Sequence, residues 1–215
     1  MAAFNDLSVQ HSRNIGDTVA SGSTDGNLFT SAQRANHLNR AIKRWLLVHT
    51  SLKNYNALLS FITNVTSTTS SGGAYTLSAV LGIISVLCDS KFIKRGNEIF
   101  FSQYQSAITN GNSFLAPTAT EPVYIYNAGA INLYPAASFN AKSITVHYVK
   151  QWTDLAYNST ATIDVPDHYT NQILDFALIE AMNEIPSDIS MARSKDKKEL
   201  AMSELALINE VVKEG

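Results

Sequence analysis

The sequence predicts an α+β protein: a helical bundle of one N-terminal helix and two C-terminal helices, with an antiparallel β module inserted between them. Three observations carry this. The run from Thr170 to Glu184 is apolar over most of a helical circumference, the pattern of a helix with neighbours on two or more sides. Between Leu58 and Val165 short apolar runs alternate with turn residues, the pattern of strands and hairpins. Helical spacing returns in the stretches after Thr30 and after Pro186.

Residues 1–28 are polar, with Gly16, Gly22, Gly26 and few large apolar side chains. They read as a flexible or extended arm that orders only against something else, or as a frayed terminus. Residues 29–57 hold the first helix. Thr30 with Gln33 three residues on makes a capping box, and Phe29 is placed to act as its staple. Ala35, Leu38, Ile42, Trp45 and Leu46 then share one face, with an expected end near Val48.

Residues 58–165 form the β module. Ile83 to Cys88 has strand length, and Asp89-Ser90 turns the chain into Lys91-Phe92-Ile93-Lys94. Residues 95–121 make a long loop containing Asn110-Gly111-Asn112 and Pro117. Val123 to Tyr126 and Ala130 to Tyr134 flank Asn127-Ala128-Gly129, a hairpin signal. From Ser143 the chain alternates, with Ile144, Val146 and Tyr148 against Thr145, His147 and Val149.

Residues 166–215 hold the C-terminal helices. Pro166 suits a first helical position, and Asp167 lies near the positive end of the helix dipole. Tyr169, Ile173, Phe176, Ala177 and Ala181 follow on one face. After Pro186 a last helix reaches Val212, with Ala201, Leu205, Ile208 and Val212 on one face. Leu200, Leu207 and Val211 form a second apolar edge of that helix, one more than a single neighbour covers.

The charged fraction is 16%, against about 25% in an average domain, and the net charge is −2. No basic field exists to hold nucleic acid or an anionic membrane. One cysteine, Cys88, excludes an intrachain disulfide framework. No basic start with an apolar core opens the chain, and no run reaches membrane-spanning length. The five histidines, His11, His37, His49, His147 and His168, show no metal-ligand spacing. Neither a nucleophile elbow nor a phosphate-cradling loop occurs. Cys88 lies in an apolar strand without a base beside it and reads as a buried, inert thiol. The residues therefore call for no catalytic site, metal or cofactor, and the expectation is a protein that is not an enzyme.

Several segments in a fixed order resemble a known family. They are Leu38-Asn39-Arg40-Ala41, Tyr75-Thr76-Leu77 leading to Ile84-Ser85-Val86, Pro122-Val123-Tyr124-Ile125-Tyr126, Ile131-Asn132-Leu133-Tyr134-Pro135, Ile144-Thr145-Val146-His147-Tyr148 and Val165-Pro166-Asp167-His168-Tyr169. Together they resemble the head–tail connector adaptors of tailed bacteriophages over roughly residues 28–190. Ser78 stands where the family carries proline.

The resemblance implies a structural virion protein at the head–tail junction (the neck), made in the host cytoplasm. It implies a ring, twelvefold to match the portal, that joins portal protein to the next tail or neck protein. DNA then passes through without specific binding, and no membrane is involved. Two surfaces become candidate contacts. Leu200, Leu207 and Val211 are candidates for the portal. Phe100, Phe101, Tyr104, Phe114 and Leu115, in the long loop, are candidates for the adjacent subunit or the next tail component, unless they fold back on their own module. The rival reading is a β-sandwich receptor- or glycan-binding module of a virion or surface protein. A hydrolytic enzyme built from residues distant in sequence is a third.

Overall fold

A computed structural model describes residues 2–17, 26, 28–69, 72–96, 109–110, 117–163, 165–185, 196, 199 and 203. The chain divides into two compact units, one of residues Met1–Phe61 with Trp152–Gly215, the other of Ile62–Gln151.

The described part of the first unit contains three helices: α1 (Phe4–Asn14), α2 (Ser31–Ser51) and α3 (Asp167–Glu184). α2 begins as its sequence dictates. The Thr30 side chain accepts from the Gln33 backbone, and the Gln33 side chain accepts from the Thr30 backbone, so both halves of the capping box form. The helix runs three residues past the expected end at Val48 and stops at Ser51. Leu38, Ala41, Ile42, Trp45 and Leu46 are fully buried on it, as are Ile173, Ala177 and Ala181 on α3. Phe176 is 1% exposed, and the Arg44 guanidinium lies 5.0 Å above its ring. Pro166 sits one residue before the helix, so Asp167 takes the first helical position.

Polar side chains fix the register of this unit. Asn39, 3% exposed, accepts from Trp152 Nε1 (3.0 Å) and from the Leu155 amide (3.0 Å). Its own amide donates to the Leu155 carbonyl at 2.9 Å. One asparagine on α2 thus ties down the segment that follows the β module. Trp45 Nε1 donates to Gln172 on α3 at 3.2 Å. A two-stranded ribbon pairs β1 (Ala2–Ala3) with β9 (Thr162–Ile163), antiparallel.

The described part of the second unit forms one seven-stranded sheet of β2 (Ile62–Thr68), β3 (Ala74–Thr76), β4 (Val80–Cys88), β5 (Lys91–Arg95), β6 (Val123–Asn127), β7 (Ala130–Tyr134) and β8 (Ser143–Lys150). The order is β2-β8-β4-β5-β6-β7-β3. The sheet is barrel-like and nearly closed. Val86, Cys88, Ile93, Tyr124, Ile131, Leu133, Ile144 and Val146 fill one shared core. Register shifts between Val80 and Gly82 and between Ile83 and Ser85 insert bulges in β4, which bend a strand and sharpen its twist. Asp89 and Ser90 (φ 48° and 67°) turn β4 into β5, and Ala128 and Gly129 (φ 50° and 77°) turn β6 into β7. Two successive positive φ values make a turn whose twist suits a tight hairpin.

This architecture corrects the expected fold class. The protein is not a helical bundle with a small inserted module, because the sheet is a full unit with its own core. Nor is the sheet purely antiparallel, since β5 and β6 run parallel. A parallel pair needs a crossover of about a dozen residues or more, and residues 96–122 supply that length. The segment read as a long loop is therefore the connection that parallel pairing requires. The expected arm is corrected as well, being helical over Phe4–Asn14 with Phe4 and Leu7 buried. Of the predicted last helix after Pro186 only Asp196, Glu199 and Ser203 are described, and each is helical.

Candidate functional site

The most organised polar constellation is buried in the helical unit, where α1 and the turn after it meet α2. Asp17 follows α1. Its carboxylate accepts from the Leu28 amide at 2.8 Å and from Arg34 Nη1 at 2.9 Å. Both side chains of this ion pair are fully buried. Ser12 donates to the Asp17 carbonyl at 2.8 Å, and the Arg34 guanidinium lies 5.1 Å from the Tyr157 ring centroid. Gly26 passes so close to Asp17 that a Cβ there would stand 2.1 Å from its carboxylate. Only glycine fits.

A second chain of contacts runs beside it. His11 Nε2 lies 3.2 Å from His37 Nδ1, and His37 Nε2 lies 3.0 Å from Glu184 Oε2. The latter is a close contact without the in-line angle of a hydrogen bond, since His37 Nε2 has no aligned partner. A proton on His37 Nε2, facing the carboxylate, leaves Nδ1 as acceptor and makes His11 Nε2 the donor. His11 Nδ1 is then a bare lone pair with no partner in a buried place. Phe29 meets the His37 ring edge to face at 4.9 Å. Arg40 also reaches Glu184, at 3.1 Å. The chain links α1, α2 and α3.

Burial, then the nearby His37 and Arg34 charges, push the His11 pKa down to about 3, against a smaller upward pull from Asp17. His49, hydrogen-bonded to Gln172 and Asn54, is lowered as well, chiefly by burial. Cys88 is 5% exposed, and burial with the adjacent Asp89 charge raises its pKa, against a smaller downward pull from Lys142. Such a thiol stays protonated and inert at neutral pH. His147 meets Ser85 at 3.1 Å across β4 and β8. Among the described residues no group of His, Cys, Asp or Glu is placed to hold a metal ion, and no helix is long and apolar enough to cross a membrane.

The contact residues expected from sequence, Phe100, Phe101, Tyr104, Phe114 and Leu115 for a subunit or tail contact and Leu200, Leu207 and Val211 for the portal, lie outside the described residues. Sequence reasoning missed the Asp17–Arg34 pair and the His11–His37 link. The signal was present in the spacing Phe4, Leu7, Ser8, His11, which places them on one helical face.

The chain matches the SU10 adaptor protein family over residues 4–213. It belongs to that family and is a bacteriophage structural adaptor, in line with the resemblance seen in the sequence. No curated protein matches it.

Proposed function

We propose that this adaptor is a non-enzymatic ring, twelvefold like the portal, that joins the portal to the next tail or neck protein in the virion. DNA passes through the ring without being held. The observation that carries this reading is membership in the adaptor family across residues 4–213, nearly the whole chain. The sparse charge and net −2 are compatible with it, because a strongly basic lumen would retain DNA. The β-sandwich alternative requires two packed antiparallel sheets, whereas the described strands of residues 62–151 form one mixed seven-stranded sheet.

In this reading the edge of Leu200, Leu207 and Val211 meets the portal. Phe100, Phe101, Tyr104, Phe114 and Leu115 dock on the adjacent subunit or the next tail component. Leu207→Asp with Val211→Asp tests the portal contact, because a carboxylate in an apolar interface costs several kcal/mol, on the order of 2–5. The expected product folds with an unchanged circular dichroism spectrum and no longer co-sediments with portal rings. Co-sedimentation at the wild-type level would remove the contact. An unfolded double variant would place that edge in the protein's own core.

A further inference from the structure

Residues 2–17 run along the helical unit as a strap fastened at both ends. At the N-terminal end Ala2 and Ala3 pair with Ile163 and Thr162, and the Phe4 amide donates to the Ala161 carbonyl at 3.0 Å. At the C-terminal end Asp17 holds the Leu28 amide and the Arg34 guanidinium. Between the two, α1 packs on α2 and α3. The fastenings are unequal. A ribbon of two residue pairs is marginal in water, whereas the Asp17–Arg34 pair is fully buried and costly to break.

The middle of the strap is poorly satisfied. α1 buries five side chains, of which only Phe4 and Leu7 are apolar, while Ser8, His11 and Ser12 are polar. Ser8 Oγ and His11 Nδ1 find no hydrogen-bond partner among the described residues. They lie three residues apart, on one face of the helix. Nothing offsets their desolvation while the strap is seated, and water satisfies both once it lifts.

His11 is also short of a counter-charge. From α2 it faces His37 and Arg34, and from the turn after α1 it faces Asp17. Asp17 is engaged by Arg34, and on α3 Glu184 is engaged by Arg40 and stands against His37. Asp6 and Arg13 of α1 itself are exposed, and β9 brings only Thr162 and Ile163. A proton on the seated His11 ring would thus place a second cation beside Arg34, with no carboxylate of its own.

We propose that α1 and its ribbon form a releasable strap, pivoting at Asp17, that lifts from α2 and α3 when His11 takes up a proton while both helices stay folded. Lifting bares Phe4 and Leu7 and frees the edge of β9. The device is built within one chain and stands whether or not copies form a ring. The seated ring titrates near 3 and the free ring near 6.5. Between those values the lifted form binds one proton more, so its share grows as the pH falls. From pH 7.5 to 5.5 the opening constant should rise roughly tenfold.

Amide hydrogen exchange on the full chain, corrected for the intrinsic pH dependence of the exchange chemistry, tests this. The helical amides of Ser8–Asn14 are expected to open well ahead of those of α2 and α3 at both pH values. Their opening should rise roughly tenfold between pH 7.5 and 5.5 in wild type and stay flat in His11→Gln, which gains no proton. Ala3→Cys with Thr162→Cys joins two residues that face each other across the ribbon. Its oxidised form should slow α1 exchange at pH 5.5 by about tenfold or more against its reduced form, because a strap tied at both ends cannot lift. Exchange of α1 in step with α2 and α3 overturns the strap, as does an oxidised clip that slows nothing. An equal pH response in His11→Gln and wild type overturns the trigger.

Discussion

Asp17→Ala is expected to destabilise the protein by about 3–5 kcal/mol, the cost of stripping one partner from a buried ion pair. The Arg34 guanidinium would remain under Tyr157 with its carboxylate gone, and the Leu28 amide would lose its acceptor. Against a typical total of about 5–15 kcal/mol, that is a large share. The effect belongs to the pair rather than to Asp17 alone. Asp17→Ala with Arg34→Met should recover most of the loss, because an apolar side chain of similar length needs no counter-charge. A double-mutant cycle on urea midpoints measures this. A fully additive cycle, or a single variant as stable as wild type, would show that the pair does not hold α1 and its turn in place.

Acid should loosen the same unit well before ordinary carboxylates titrate. His11 falls from 6.5 in the unfolded chain to about 3 in the folded one. Below 6.5 the unfolded chain therefore takes up a proton that the folded protein refuses. The contribution of neutral His11 is fully present above pH 6.5 and is lost as the pH falls toward 3. By linkage the loss approaches roughly 1.4 kcal/mol for each pH unit in that window. His49, lowered in the same direction by burial, adds to it. Unfolding free energy measured from pH 7.5 to 4 should fall steeply in wild type and more gently in His11→Gln, which has no proton to gain. Parallel profiles for the two proteins would mean that His11 is not the group that titrates.

These two sites were the least visible part of the chain. Local chemistry was legible. Thr30 and Gln33 specify their cap wherever the helix ends up, and Asp89-Ser90 and Ala128-Gly129 specify tight turns within a few residues of sequence. The alternation marks Ile144 and Val146 as buried on β8, but it misses Val149, which is buried as well, while Tyr148 is half-buried. The α1 segment hid because its inward face is completed by Ser8, His11 and Ser12, which are buried. Composition reads those residues as solvent-seeking. His11 and Ser12 are inside because they find partners, and so does Asp17: His11 with His37, Ser12 with Asp17, and Asp17 with Arg34. Two of these partnerships join residues 26 and 17 apart in the chain, beyond the reach of any local window.

The size of the sheet was obscured by a similar effect. Its hairpins announce themselves, but the parallel junction between Lys94-Arg95 and Val123-Tyr124 is specified by no local turn. It follows from two strands meeting across residues 96–122, whose length fits a crossover and a loop equally well. The ordered segments that resemble the connector adaptors were informative for the opposite reason. They lie along α2, the strands and α3, where local pattern and final position agree.

The proposed place of this adaptor is a ring at the junction of portal and tail. Single-particle imaging of the isolated neck, with this chain tagged, tests it most directly. The expected result is one ring of twelve tagged copies, coaxial with the portal and in contact with it on one side. Tagged copies found only at a peripheral site, or at the junction in a number that forms no closed ring, would contradict it.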